Sequence, residues 1–190
     1  MKKITLSIIA VLAFGFTNAQ EVKFGVKGGI NFADLTGDID GNTSKVGFQV
    51  GGFAEIKLTE KFAIQPELLY SAQGTKSDED GTDLKYNLDY LNVPVMAKYY
   101  VADKFSLEAG PQIGFLLSAK AKAGDEDADV KDFFKSIDFG VNFGAGYDFT
   151  ENLSAGIRYN LGLANVLDTE DGDDSKVKSS VFSLSVGYKF

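Results

Sequence analysis

The sequence predicts an all-β protein: an eight-stranded antiparallel up-and-down transmembrane β-barrel with short periplasmic turns and long extracellular loops. Apolar residues recur at every second position in eight segments, which is the period of a β-strand. Short and long polar connections alternate between these segments. One face of the segments also carries more aromatic side chains than a small barrel can enclose. The 190 residues are enough for one domain, and we assign residues 20–190 to it.

The predicted strands follow one another along most of the chain. In the first, Phe24 belongs to the apolar face and Lys23 to the polar face. In the fourth, the apolar phase slips between Tyr90 and Leu91, which predicts a bulge or a register change there. The eight segments are 22–32, 46–58, 62–70, 86–101, 105–119, 137–149, 153–163 and 182–190.

The connections between the strands are of two kinds. Residues 58–62, 101–105 and 149–153 share one pattern: an apolar residue, a small one, an acid, Lys or Asn, and an apolar residue. Each predicts a tight hairpin turn. The other connections are long and polar, at approximately 33–44, 74–85, 120–135 and 165–178. Alternation of short periplasmic turns with long extracellular loops is typical of outer-membrane barrels.

The apolar face is too bulky to fill the barrel interior. It carries sixteen aromatic residues, and each aromatic side chain covers about 150–250 Å², whereas eight strands leave room only for closely packed side chains. A soluble barrel with this face inside is the alternative, and side-chain volume disfavours it. The sixteen are Phe24, Phe32, Phe48, Phe62, Tyr70, Tyr99, Phe105, Phe115, Phe139, Phe143, Tyr147, Phe149, Tyr159, Phe182, Tyr188 and Phe190.

The N-terminus predicts export. Residues 1–19 combine two lysines, a short apolar stretch and the small-residue site Thr17-Asn18-Ala19, as a cleaved signal peptide does. The predicted location is therefore the outer membrane of a Gram-negative cell. The chain has no cysteine, so neither a disulfide framework nor a lipoprotein anchor is expected.

The charge balance restricts the partners. The whole chain has a net charge of −8, and the predicted mature part has 17 basic and 27 acidic residues, a net charge of −10. Such a balance argues against a nucleic-acid partner, which requires a basic surface. The expected partners are outer-membrane lipid and lipopolysaccharide, the outer-membrane insertion machinery and an unidentified protein. No cofactor is predicted.

The fourth predicted strand, 90–100, has the sequence YLNVPVMAKYY, which resembles the YLxIPxxxKY segment of the PorT-like outer-membrane β-barrel family. Segments 24–31, 110–114, 138–147 and 158–163 are similar to other strands of that family. The resemblance implies an outer-membrane barrel, and a few family members are linked to protein secretion across the envelope. The C-terminal segment 186–190 also resembles the signal that the insertion machinery recognises, with Tyr188 and Phe190 as its aromatic residues.

The polar face provides candidate functional residues but no catalytic set. Because the chain has no histidine and no cysteine, the His-dependent mechanisms of small outer-membrane enzymes are excluded. A catalytic carboxylate pair is the formal alternative, but no pair with a defined separation can be chosen, and we expect no enzyme activity. Charges on this face must be paired in a narrow interior, either as a gated polar conduit or as a salt-bridged plug, and eight strands favour the plug. The predicted interior cluster is Lys27, Glu55, Glu67, Lys98, Glu108, Asp138 and Arg158.

The long connections are rich in acids. Closely spaced carboxylates beside Gly turns are weak candidates for Ca²⁺, which takes six to eight oxygen ligands, and no segment matches an EF-hand loop. Solvated loops are the simpler interpretation, and divalent cations bridging to lipopolysaccharide phosphates are another. The candidates are Asp38, Asp40, Asp78, Asp80, Asp171 and Asp173. We therefore expect a structural or surface-interaction role; a small channel or a component of a secretion or transport assembly is the alternative.

Overall fold

The computed structural model describes residues 21–38, 42–79, 82–124, 126–168 and 176–190, so the predicted signal peptide lies outside the described residues. The described chain consists almost entirely of antiparallel strands with one short 3-10 helix, Lys131–Phe133. The strands are β1 (Glu21–Gly37), β2 (Asn42–Lys57), β3 (Phe62–Glu79), β4 (Thr82–Ala102), β5 (Phe105–Ala123), β6 (Glu126–Asp129), β7 (Ile137–Asp148), β8 (Leu153–Gly162) and β9 (Val177–Lys189).

Eight of these strands form a closed ring in the described part of the chain. Strands β1 to β5 pair in chain order, and β5 then pairs with β7. Strand β7 pairs with β8, and β8 pairs with β9. The ninth, β6, is a four-residue strand that folds back and pairs with the last residues of β5. The predicted eight-stranded up-and-down barrel is confirmed.

The ring closes where β1 pairs with β9. This seam runs from Gly25 opposite Lys189 to Gly37 opposite Val177, and the amide of Phe190 donates a hydrogen bond to the carbonyl of Phe24 at 2.9 Å. Closure gives the backbone of both outermost strands a partner, which lipid cannot supply.

The three predicted tight turns are confirmed, and they lie at the same end of the barrel, which we call the turn end. At the first, the amides of Leu58 and Thr59 donate to the carbonyl of Phe62, and the Thr59 hydroxyl accepts from the amides of Lys61 and Phe62. Thr150 repeats this arrangement in the third turn. A threonine that caps its own turn fixes the short connection.

The other end, which we call the hairpin end, differs from the prediction. Residues predicted as long loops largely continue the strands: β1 and β2 extend to Gly37 and Asn42, and β3 and β4 extend to Glu79 and Thr82. The period-two pattern is weaker there because most outward positions and several inward ones are polar, although Ala33 and Leu35 still point inward and the backbone ladder continues. The predicted loop at 165–178 keeps its irregular character until β9 begins at Val177.

The outer surface of the ring is an apolar belt. Of the sixteen aromatic residues assigned to the outward face, fourteen are exposed and Phe62 and Tyr70 are half-buried. The exposed fraction is 52% for Phe143 and 64% for Phe24, and it is highest for Phe190, at 71%. A continuous apolar surface of this extent suits lipid rather than water, so the predicted outward orientation is confirmed. Within the described residues, we find no helix with the length and apolar character required to cross a membrane.

A register change is present near Tyr90, as predicted, but the inward and outward alternation of β4 itself is not interrupted there. Side chains of β4 alternate regularly, so that Leu88 and Tyr90 point inward while Leu91 points outward. The register does shift between Asp89 and Tyr90, but in the pairing with β5, where Leu117 is the extra residue. The apolar phase changes because β4 carries apolar residues inward at Leu88 and Tyr90, while the inward residues opposite them on β3, Gln73 and Ser71, are polar.

Candidate functional site

The interior near the turn end contains two ion-pair networks. In the first, the Glu67 network, Lys27 donates to Glu67 at 2.7 Å. Arg158 donates to the two carboxylate oxygens of Glu67 at 2.9 Å each, and to Glu108 at 2.8 and 3.0 Å. Gln65 adds a fourth donor to Glu67 at 2.6 Å. The Glu67 side chain is entirely shielded from solvent.

The second network is centred on Glu55. This carboxylate accepts from Lys98 at 2.7 Å, from the hydroxyl of Tyr100 at 3.0 Å and from Lys189 at 3.2 Å. Lys189 also pairs with Asp148 at 3.1 Å. Strand β1 lies between β9 and β2 and carries no member of this network. The side chains of Lys189 on β9 and Glu55 on β2 meet inside the barrel, in front of β1.

Each network contains two cations and two anions, so the buried charges balance within it. Burying an ion is unfavourable unless partners and hydrogen bonds replace water, and both networks provide them. Glycine makes one of these contacts possible: Gly144 of β7 lies between Glu108 of β5 and Arg158 of β8 in the register. A Cβ at Gly144 would come within 3.0 Å of the Glu108 carboxylate, so its absence lets the two charged side chains meet.

Neutral polar side chains occupy the interior between the networks and the hairpin end. Asn142 donates to Gln112 at 3.2 Å and accepts from Asn160 at 3.1 Å. Asp138 accepts from the hydroxyl of Ser179 at 2.7 Å and has no cationic partner among the described residues. Six of the seven predicted interior residues thus meet in the two networks, and Asp138 lies apart from them.

The interior at the hairpin end contains an apolar cluster that was not predicted from the sequence, beside buried polar residues of β1 and β3. All its members are at least nine-tenths buried, and they come from the strands, from the residue after the short helix and from the segment before β9. Phe134 and Leu167 form an isolated bridge that holds two of these segments together. The phase change at Tyr90 was the only signal in the sequence. The cluster consists of Leu35, Leu88, Tyr90, Leu116, Ala119, Phe134, Val166 and Val177.

The space left inside is small. A cavity of about 30 Å³ at the turn end is lined by Lys27, Lys98, Asp148 and Lys189 together with small residues of β8 and β9. This volume holds one or two water molecules. In the described part of the barrel, buried charges thus lie at the turn end, and the apolar cluster lies with neutral polar side chains toward the hairpin end.

The candidate metal ligands at the hairpin end are only partly described. The Asp38 carboxylate accepts from the amide of Lys176 at 2.8 Å, which ties the end of β1 to the start of β9. Asp78 lies in β3, but its side chain, like Asp40, Asp80, Asp171 and Asp173, lies outside the described residues. The described acids form no group of three or more that could hold a metal ion.

The two aromatic residues of the predicted insertion signal lie together on the outer surface. Tyr188 and Phe190 make an edge-to-face contact with ring centroids 5.7 Å apart. Their side chains are exposed at the turn end of β9.

Comparison with known proteins agrees with this geometry. The family model described as outer membrane protein beta-barrel domain matches residues 18–168. Among solved structures, the chain is similar to Neisserial surface protein A, with a TM-score of 0.59, 22% identity and coverage of 90% of this chain and 99% of that one. It is also similar to Ail, the attachment invasion locus protein of Yersinia pestis, solved with the heparin analogue sucrose octasulfate, with a TM-score of 0.54, 16% identity and the same coverage. No curated protein matches the sequence.

Proposed function

This chain belongs to the outer membrane protein β-barrel family, and from that premise we propose that it is an integral outer-membrane protein with a surface-interaction role. Its packed barrel anchors and orients the strand extensions of the hairpin end, which present a surface to a partner outside the cell. The protein works by position and catalyses no reaction.

The observation that carries the proposal is the filled interior. Two balanced ion-pair networks occupy the turn end and the apolar cluster occupies the hairpin end. A conducting barrel requires a continuous water-filled lumen, whereas here two different packed layers would both have to move. The strands, in contrast, continue well beyond the belt as hydrogen-bonded hairpins, and paired strands form a firmer platform than loops.

The orientation follows from the connection lengths. Barrels of this kind have short turns in the periplasm and longer connections outside, so we assign the turn end to the periplasm and the hairpin end to the cell exterior. Tyr188 and Phe190 then lie at the periplasmic end, where an insertion signal would be recognised. The predicted signal peptide, residues 1–19, supplies the export that this orientation requires.

Two finer assignments remain proposals. Membership of the PorT-like branch depends on segment 90–100, and a part in protein secretion depends on that branch. A surface role draws on fold-level analogy with Ail, an attachment protein by name. The small-channel alternative has no specific observation in its favour.

Site-specific photo-cross-linking in intact cells tests the proposal. A photoreactive residue replaces exposed Thr43 or Lys120 at the hairpin end, and Glu60 or Asp103 at the turn end serves as the matched control. We expect a discrete cross-linked partner from the hairpin end that is absent from the turn end. Cross-links to a secretion assembly from the turn end alone, or stable conductance of the purified protein in planar bilayers, would contradict it.

A further inference from the structure

The strand register brings three lysines into one row at the hairpin end. Lys76 of β3 lies directly opposite Lys85 of β4, and Lys85 lies directly opposite Lys122 of β5. We call these three residues the lysine row. All three are exposed. Directly opposite residues have Cβ atoms roughly 4.5–5.5 Å apart, and like charges in such positions destabilise a sheet.

Among the side chains that the structure describes, one ion pair involves the row. Lys122 pairs with Asp127 of β6 at 3.1 Å, and both of these side chains are nearly half exposed. No ion pair involves Lys76 or Lys85 in the described ranges, and Lys45 of β2 lies near enough to Lys76 for their charges to repel. The closest acid below the row on β4, Asp89, interacts with the Tyr70 hydroxyl. The register also places Asp78 of β3 opposite Asp83 of β4, two residues beyond Lys76 and Lys85, so a pair of acids borders the row on its outer side.

The row points away from the barrel axis, over the lipid. Side chains an even number of residues apart on a strand share a face. On β4, Leu91 is the outward apolar residue nearest to the hairpin end, and Lys85 lies six residues from it. On β3, Lys76 lies six residues from Tyr70, which also points outward. The extra residue at Leu117 brings Lys122 into phase with Lys85.

The height of the row above the belt selects the ligand. Six residues rise ~20 Å along a strand, which is ~15 Å along the membrane normal at the usual strand tilt of about 40°. The headgroup region of a phospholipid leaflet extends only about 5–8 Å beyond the hydrocarbon. The lysines therefore stand above the level of phospholipid phosphates, at a height that suits phosphates on a sugar headgroup.

We propose that the lysine row of β3, β4 and β5 binds the phosphorylated saccharide headgroup of the glycolipid in the outer leaflet, the lipopolysaccharide that surrounds the barrel. The phosphates relieve the repulsion among the three ammonium groups. This inference goes beyond the surface-interaction role, because it concerns the lipid beside the barrel and requires no protein partner.

The test compares thermal unfolding in two membranes. Wild-type protein and Lys76→Gln/Lys85→Gln are folded into nanodiscs of phospholipid alone or of phospholipid with lipopolysaccharide, and Tm is taken from heat-modifiable migration on gels. Lys61→Gln/Lys104→Gln, with the same charge change at the turn end, is the control. We expect lipopolysaccharide to raise the Tm of the wild type and of the control, and less than half of that rise to remain in the variant. Because each protein is compared with itself, a change in its intrinsic stability cancels.

Two further arms identify the ligand chemistry. Dephosphorylated lipopolysaccharide should give the wild type no increase in Tm. The proposal is wrong if the variant keeps the full increase, or if the increase survives removal of the phosphates. A final arm adds a soluble sulfated polysaccharide to phospholipid nanodiscs. The proposal is also overturned if this polyanion raises the Tm of the wild type but not of the variant, while lipopolysaccharide raises neither. The row would then bind a polyanion from the medium.

Discussion

Removal of the Glu67 carboxylate should be among the most destabilising single changes in this barrel. Glu67 accepts three hydrogen bonds from cations, one from Lys27 and two from Arg158, at 2.7–2.9 Å, and its side chain is fully shielded. Hydrogen bonds to charged groups contribute about 1.5–3 kcal/mol each, but such values are not additive. Breaking one buried pair costs about 3–5 kcal/mol. We expect Glu67→Gln to lose about 3–5 kcal/mol of unfolding free energy.

The measurement is urea unfolding of the protein in phospholipid vesicles, followed by circular dichroism because the chain has no tryptophan. Asp127→Asn is the control, since its pair with Lys122 has a similar length but is exposed, and about 0.2–1 kcal/mol is expected there. Glu67→Gln combined with Lys27→Met restores charge balance in the network, so it should be more stable than the sum of its single variants. A loss for Glu67→Gln no larger than that of the control, or strict additivity, would refute the reasoning.

Three other predictions concern the belt, the hairpins and the apolar cluster. Phe143→Arg places a charge in the middle of the lipid-facing surface and should cost about 2–4 kcal/mol in the same urea assay; a neutral result would contradict the outward orientation. Gly74 has a φ of 130°, and an added Cβ would overlap the Tyr86 carbonyl, so Gly74→Val should expose the β3–β4 hairpin to protease while the barrel stays heat-modifiable. Phe134→Ala removes a buried aromatic ring from the apolar cluster and should cost about 3–5 kcal/mol in the urea assay, while planar bilayers stay silent because the ion-pair networks still occupy the turn end; stable conductance of this variant would contradict the second packed layer.

The sequence predicted the ring, its tight turns and its outward face because lipid imposes a strict rule on every second residue. The aromatic face from Phe24 to Phe190 obeys that rule, and so do the charged positions opposite it. Which charge meets which could not be predicted, because Glu67 and Arg158 are 91 residues apart and the pairing depends on strand register. The strand extensions were not predicted for another reason. Polar residues occupy most of their outward positions and some inward ones such as Thr75, so the apolar alternation is too weak to indicate that the backbone ladder continues.

The apolar cluster shows the same limit within the barrel. Leu88 and Tyr90 look out of phase only if the interior is assumed to be polar throughout. Inward apolar residues reverse the expected alternation without any change in the backbone. A phase slip in a barrel sequence therefore has two explanations, a bulge or a change in what fills the lumen, and here both occur at one level.

The seam between β1 and β9 makes the order of events in assembly unusually constrained. The two strands that close the ring are separated by more than 130 residues, so the contact that completes the structure is the one with the slowest loop closure. Until β9 arrives, β1 would enter hydrocarbon with a row of unpaired amides and carbonyls, and Glu55 would lack Lys189. Stable membrane insertion and ring closure should therefore occur as one cooperative step, with a nascent chain that lacks β9 left at the membrane surface for degradation.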